Sequence, residues 1–308
     1  MVDRFYNERV GIMKEGMKPG RLFCFGLGYV GRALAEILHG EGWSVSGTCR
    51  SEEKRKELEG LGWQVGTFDA PETVPDVSKA LAEATHVLVT IAPKGDAGDV
   101  VLHHFGELLM SLPQCEWIGY LSTTGVYGDR GGDWVDEATA PEPTFPHQQR
   151  RAEAEAEWMR LAYKHALPVH LFRLAGIYGP GRNPLLKARQ GTAQRIDKPG
   201  LMFGRVHVAD VVQVLKASIE RPHPGRVYNV VDNCPAPPAE VTELACKLLG
   251  VEPPPLVPFE EAGLSEMGKS FYLTNKRVSN FRIKKELKVR LHYPDYREGL
   301  KALAAKLE

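Results

Sequence analysis

Three glycines, Gly26, Gly28 and Gly31, break an apolar run that opens Arg21-Leu22-Phe23-Cys24-Phe25 and resumes at helical spacing as Ala33-Leu34-Ala35-Glu36-Ile37-Leu38. A strand that turns into a helix through residues without side chains lets backbone N–H groups approach a pyrophosphate, with the positive end of the helix behind them. Gly26, Leu27, Gly28, Tyr29, Val30 and Gly31 are therefore read as the seat of a dinucleotide. The next apolar run ends Gly47-Thr48-Cys49-Arg50-Ser51, without a carboxylate at its tip to take a ribose hydroxyl. Arg50 suits a 2′-phosphate instead, with Ser51 as a neutral donor and Arg32 as a second cation, so the pattern favours NADP(H) over NAD(H). The competing reading of Arg50 is that it opens a solvated helix with Glu52, Glu53, Lys54, Arg55 and Lys56. Asp69, after the third apolar run, suits the adenine edge or a turn, and Thr90, Ile91, Ala92 and Pro93 would pass beneath the cofactor.

These residues need a scaffold. Apolar runs at 21–25, 43–48, 64–68, 86–91, 116–122, 169–174 and 226–231 predict strands, and helical spacing predicts helices at 30–40, 51–60, 76–83, 98–111, 147–165, 209–220, 238–249 and 295–307. Alternation of this kind implies an α/β fold, a doubly wound parallel sheet of about seven strands with helices on both faces. After Leu174 the rhythm becomes irregular, in 176–205 and again in 250–295. The expected organisation is a loose tail over 1–20, a dinucleotide-binding unit from 21–175 plus 206–232, and a small substrate lobe from 176–205 plus 233–308. Met13 and Met17 leave a later start open.

Composition limits the partners. The 308 residues are 43% hydrophobic and 25% charged, with 39 basic residues against 39 acidic ones, so nucleic acid and anionic membranes are not expected partners. No apolar stretch reaches the ~20 residues of a membrane span. The first 20 residues lack the apolar centre of a secretory signal. Cys24, Cys49, Cys115, Cys234 and Cys246 form neither CxxC pairs nor an even framework, which suits reduced thiols and a cytoplasmic protein. No metal site is assigned, and a homodimer stays open.

Three segments follow in order: Leu121-Ser122-Thr123-Thr124-Gly125-Val126-Tyr127-Gly128-Asp129, Arg173-Leu174-Ala175-Gly176-Ile177-Tyr178-Gly179-Pro180-Gly181, and Val206-His207-Val208-Ala209-Asp210. Together with Tyr228-Asn229 and Tyr296-Arg297-Glu298-Gly299-Leu300, they make residues 21–305 resemble the extended short-chain dehydrogenase/reductase family, which includes sugar-nucleotide epimerases and dehydratases. The resemblance implies a seven-stranded Rossmann sheet, a small C-terminal substrate lobe, and catalysis by a Ser/Thr, a Tyr and a Lys, with hydride moving to or from C4 of a nicotinamide. Thr123 matches the Ser/Thr position.

The Tyr-x-x-x-Lys pair is missing. Setting Glu155 on the family's Glu puts Arg151 on the Lys and His147 on the Tyr; a slip by one gives Arg150 and Pro146. The sequence thus resembles an atypical branch that lacks the usual tyrosine. An arginine at that place can hold ribose hydroxyls but is a poor proton carrier, whereas a histidine can act near neutrality. Tyr127 and Tyr178 fall on segments near the expected site, as packing residues or as substrate contacts. Asp210 is expected to cap a helix over 211–220, with His207 structural. The segment 182–205 holds Arg182, Lys187, Arg189, Arg195, Lys198 and Arg205 against the single acid Asp197. That excess suits a phosphate or carboxylate, so Arg182, Arg195 and Arg205 join Arg173, Tyr127 and Tyr178 as expected substrate contacts; the alternative is a solvated cationic loop. The expected activity is an NADP-dependent oxidoreductase or epimerase for an anionic sugar-like or polyol metabolite. The alternative is a non-catalytic NADP(H)-sensing regulatory protein.

Overall fold

Every strand predicted from the apolar runs enters one parallel sheet. The computed structural model describes residues 18–69, 77–95 and 98–307; most of the expected tail, residues 1–17, lies outside the described residues, as does residue 76 at the start of the expected 76–83 helix. In chain order the elements of the first half are β1 (Arg21–Phe25), α1 (Tyr29–Gly40), β2 (Ser44–Cys49), α2 (Glu52–Glu59), β3 (Gln64–Thr67), α3 (Ser78–Ala82), β4 (His86–Val89), α4 (Val100–Met110), β5 (Trp117–Thr123), β6 (Trp134–Val135) and α5 (Pro146–His165). The second half continues with β7 (Val169–Leu174), β8 (Gly176–Tyr178), α6 (Pro184–Arg189), β9 (Arg195–Asp197), β10 (Arg205–His207), α7 (Val208–Glu220), β11 (Val227–Val230), α8 (Pro238–Leu249), β12 (Leu256–Pro258), α9 (Glu266–Tyr272), β13 (Arg277–Val278), α10 (Phe281–Lys285) and α11 (Tyr296–Ala304).

The sheet runs β3-β2-β1-β4-β5-β7-β11, each adjacent pair parallel. The chain winds outward from β1 to β3, returns to β4 and winds the other way. Sheets of this order leave a crevice where the direction reverses, outside the carboxyl ends of β1 and β4. Side chains alternate along β1: Leu22 and Cys24 enter the core on one face with Leu34 and Leu38 of α1, while Phe23 and Phe25 enter the other with Phe105 of α4 and Trp158 of α5. A third apolar cluster joins Tyr178, Leu185, Val241, Ala245, Tyr296, Leu300 and Leu303, contributed by β8, α6, α8 and α11. No helix among the described residues is long and apolar enough to cross a membrane.

One cap differs from expectation. Helix α7 begins at Val208, and His207, not Asp210, caps it through Nδ1, which accepts from the Ala209 N–H at 3.1 Å. Asp210, fully buried within the first turn, instead accepts the backbone N–H groups of His292 and Tyr293 at 2.6 and 3.1 Å. It ties α7 to the segment before α11, a contact across more than eighty residues.

Helix α5 is fixed to the sheet by a buried ion pair. Arg173 of β7 meets both carboxylate oxygens of Glu155, with the shortest contact at 2.7 Å and side chains only 6% and 5% exposed. The same guanidinium lies 4.8 Å from the centroid of the Tyr127 ring. Removing one partner of such a pair leaves a buried charge uncompensated. Arg173→Met is expected to lower unfolding free energy by about 3–5 kcal/mol in urea titrations, and Arg173→Met with Glu155→Leu to recover most of it. A loss below about 1 kcal/mol for the single variant contradicts this assignment.

Candidate functional site

The turn from β1 into α1 is built by backbone and two threonines. Gly26 has φ +95, a conformation that side chains rarely adopt. Its N–H donates to Thr48 Oγ1 at 3.0 Å, and Thr90 Oγ1 donates to its carbonyl at 2.7 Å, so β2 and the end of β4 both grip the bend. A Cβ on Gly31 would lie 2.6 Å from the Gly26 carbonyl and 2.7 Å from Cys24 Sγ, so glycine is what allows α1 to pack this close to β1. At Gly28 the reverse holds: a Cβ would meet nothing nearer than 4.0 Å, and the residue faces a cleft of about 740 Å³. Helix α1 has no side-chain cap at Gly28, so its first N–H groups stand open to that cleft. An uncapped helix end with no side chain between it and the cleft fits a bound pyrophosphate.

One end of the cleft is cationic. Arg50, Ser51 and Lys54 line it, and its only lining acid among the described residues is Asp69, 3.9 Å from Lys94 Nζ. Arg50 is exposed; Ser51 Oγ caps α2 by accepting from the Lys54 N–H at 3.3 Å. Arg32 lies outside the lining, held by Glu36 and Glu57. Lys54, which sequence reasoning assigned to the solvated face of α2, reaches the cleft as well; a lysine four residues past Arg50, in the first turn of the helix, was the available signal.

The other end of the cleft is lined by Leu121, Ser122, Arg151, Leu174 and Ile177. Arg151 Nη1 donates to Tyr120 Oη at 2.9 Å and to the Leu121 carbonyl at 3.0 Å, so the guanidinium is anchored before any ligand arrives. Burial pushes the Tyr120 phenol well above its usual range, leaving it a neutral partner. Ser122 Oγ is buried without a hydrogen-bond partner, an orphan donor at the place where a ligand would close on it. Tyr29 and Thr90, Ala92 and Pro93 also line the cleft.

Ser122, Leu174 and Ile177 are shared with an adjoining cavity of about 340 Å³. Thr123, His147, Gln148, Arg182, Phe203 and Lys276 line it. Thr123 Oγ1 accepts from the Gly125 N–H at 3.0 Å, which fixes its rotamer and leaves its own proton to donate. His147 stands in the first turn of α5, and Gln148 Oε1 holds that turn by accepting from the Thr144 and Phe145 N–H groups at 3.0 and 3.2 Å. Partial burial and nearby Arg150 lower the His147 pKa, favouring the uncharged ring. His147, Arg151 and Glu155 recur every four residues along one helix face. Arg150 and Pro146, the residues of the alternative register, line neither space.

Several expected contacts are not brought to either space. Tyr127 is fully buried and donates to Asn229 Oδ1 at 2.8 Å; Arg173 is spent on Glu155; Arg195 donates to the Pro254 carbonyl and pairs with Glu243. Tyr178 and Arg205 line a third cavity of about 520 Å³ beside α6, which Arg182 shares with the cavity at Thr123; there, among the described residues, the buried Tyr178 Oη has no partner and Arg205 donates to the carbonyls of Phe203 and Ala236. Ser122 and Lys276 were missed. Ser122 adjoined a residue already chosen, but nothing in the sequence placed Lys276, some 150 residues on, beside Thr123.

A doubly wound sheet with a glycine turn at its switch point defines a Rossmann-type α/β protein. The chain belongs to the NAD dependent epimerase/dehydratase family, whose model matches residues 26–231. It is 29% identical to protein YeeZ of Escherichia coli K12, over 88% of this chain and 95% of that protein. A solved structure of a functionally unknown conserved protein from Silicibacter pomeroyi is 45% identical, with a TM-score of 0.85 over 94% of this chain and 99% of that one. The fold is shared more widely: dTDP-glucose 4,6-dehydratase from Bacillus anthracis, solved in complex with NAD, superposes with a TM-score of 0.74 over 94% of this chain and 96% of that one at 18% identity.

The two inner glycines should separate by experiment. Gly28→Val is expected to keep the parent's thermal midpoint and lose about tenfold or more in dinucleotide affinity by calorimetry, whereas Gly31→Val destabilises the fold by about 1–3 kcal/mol. Equal destabilisation by both would mean that Gly28 does not face a ligand.

Proposed function

We propose that the chain is an NADP(H)-dependent oxidoreductase or epimerase acting on an anionic, sugar-like or polyol metabolite. The observation that carries this is the joining of two spaces at Ser122, Leu174 and Ile177: an open cleft with an uncapped helix end and a cationic rim, and a smaller cavity with hydroxyl, imidazole and cationic side chains. The dinucleotide would lie with its pyrophosphate on α1, its 2′-phosphate toward Arg50 and Lys54, and its nicotinamide end toward Ser122 and Arg151. Bound there, the cofactor supplies hydride exchange at ring C4. Arg151, anchored on Tyr120 and Leu121, would position the ribose. Thr123 would donate to the substrate oxygen, and neutral His147 or a water would move the proton.

The cofactor preference is tested by dissociation constants of NADP(H) and NAD(H) for the parent and Arg50→Ala. Losing one phosphate-pairing arginine is expected to weaken NADP(H) alone by about 1–3 kcal/mol, tenfold to a hundredfold. Equal losses for both dinucleotides contradict the role given to Arg50. Turnover is tested by screening acidic and phosphorylated sugars for oxidation or reduction of the cofactor. Tight NADPH binding with no turnover across that set contradicts the enzymatic reading and favours a redox sensor.

A further inference from the structure

Among the described residues, Lys276 is the one buried lysine that lines the substrate cavity, and it forms no ion pair. It is 8% exposed, lies immediately before β13 and lines the cavity with Thr123, Thr124 and His147. Its ammonium donates to the Gly128 carbonyl at 2.9 Å and makes no ion pair with any described residue. An ammonium has three N–H donors, so two lack a protein partner. Asp129, the neighbouring acid, acts on the ammonium through its charge but makes no ion pair or hydrogen bond with it; its Oδ1 accepts the backbone N–H groups of Asn275 at 2.7 Å and Gly131 at 3.3 Å. Arg130 is paired with Glu142 at 2.8 Å. Among the described residues no aspartate or glutamate lines the cavity, while Arg182 and His147 do.

A buried cation without a partner costs folding free energy, and a bound anion relieves that cost. The lysine's backbone is held in place: Asn275 donates to the Gly200 carbonyl and accepts from the Met202 N–H, and β13 pairs with β6. We propose that Lys276 selects acidic substrates, its ammonium taking the carboxylate or phosphate oxygens of the metabolite bound between Thr123 and Arg182. This deepens the oxidoreductase reading and rests on its placing the substrate in this cavity. The amine's own titration agrees: burial lowers it to about 8, with Asp129 opposing and Arg130 reinforcing the shift.

The test uses the full chain and three matched probes, glucose, glucuronate and glucose 6-phosphate, titrated calorimetrically into the parent, Lys276→Met and Lys276→Arg. The parent is expected to bind at least one acid about tenfold more tightly than glucose, Lys276→Met to lose that margin without changing glucose binding, and Lys276→Arg to keep most of it. Preference for glucuronate identifies a carboxylate, preference for glucose 6-phosphate a phosphate. Affinity for the preferred acid should fall between pH 7 and pH 9 in the parent, as the amine loses its proton, and stay flat in Lys276→Met. The proposal is overturned if the parent binds glucose as well as the acids, binds none of the three, or if Lys276→Met keeps the acid preference. Should Lys276→Met fail to fold, a parent-like acid preference and pH profile in Lys276→Gln overturns it in the same way. NADPH titrated separately divides the failures: loss of dinucleotide binding in the parent defeats the oxidoreductase reading alone, while NADPH binding with no acid discrimination defeats the role of Lys276 alone.

Discussion

The bend between β1 and α1 must hold a helix end open to solvent while leaving no side chain in front of it. Most helix starts satisfy their orphan N–H groups with a capping side chain; α1 does not. The geometry that permits this is supplied from both neighbouring strands, because Thr48 of β2 and Thr90 after β4 each hold Gly26. The sheet order is thereby linked to the cleft: only where β1 lies between β2 and β4 can both threonines reach the same glycine. A side chain at Gly31 would meet the Gly26 carbonyl and Cys24 Sγ and push α1 off β1.

The second constraint is where positive charge is compensated. Arg173 is as buried as Lys276, but Glu155 meets it with two oxygens, and the pair joins α5 to the sheet. Arg32 and Arg195 likewise have carboxylate partners. Exposed Arg50 at the cleft's cationic end and buried Lys276 in the cavity have none among the ion pairs of the described residues. Two of the cations without an ion-pair partner therefore stand at the two places where an anionic ligand would sit, which a count of charges along the chain does not reveal.

Much of the fold was legible in the sequence because its strands are buried on both faces. Runs such as His86-Val87-Leu88-Val89 are apolar or aromatic throughout, and the glycines and charged helices between them mark each turn. The glycine seat was legible for the same local reason. The roles of single polar residues were not, because their partners are remote. Tyr127 meets Asn229 across 102 residues, and Asp210 meets the amide of His292 across 82. His147 and Arg151 could be placed by a motif; Lys276 could not, since the β13–β6 pairing and the hydrogen bonds of Asn275 to Asp129 and Arg130 bring it to the loop after β5.

The most direct measurement is a crystal structure of the chain grown with NADPH. The account predicts the pyrophosphate against the backbone N–H groups of Tyr29 and Val30 and the 2′-phosphate within hydrogen-bond distance of the Arg50 guanidinium. Coenzyme bound elsewhere, or a cleft that stays empty at saturating NADPH, would contradict it.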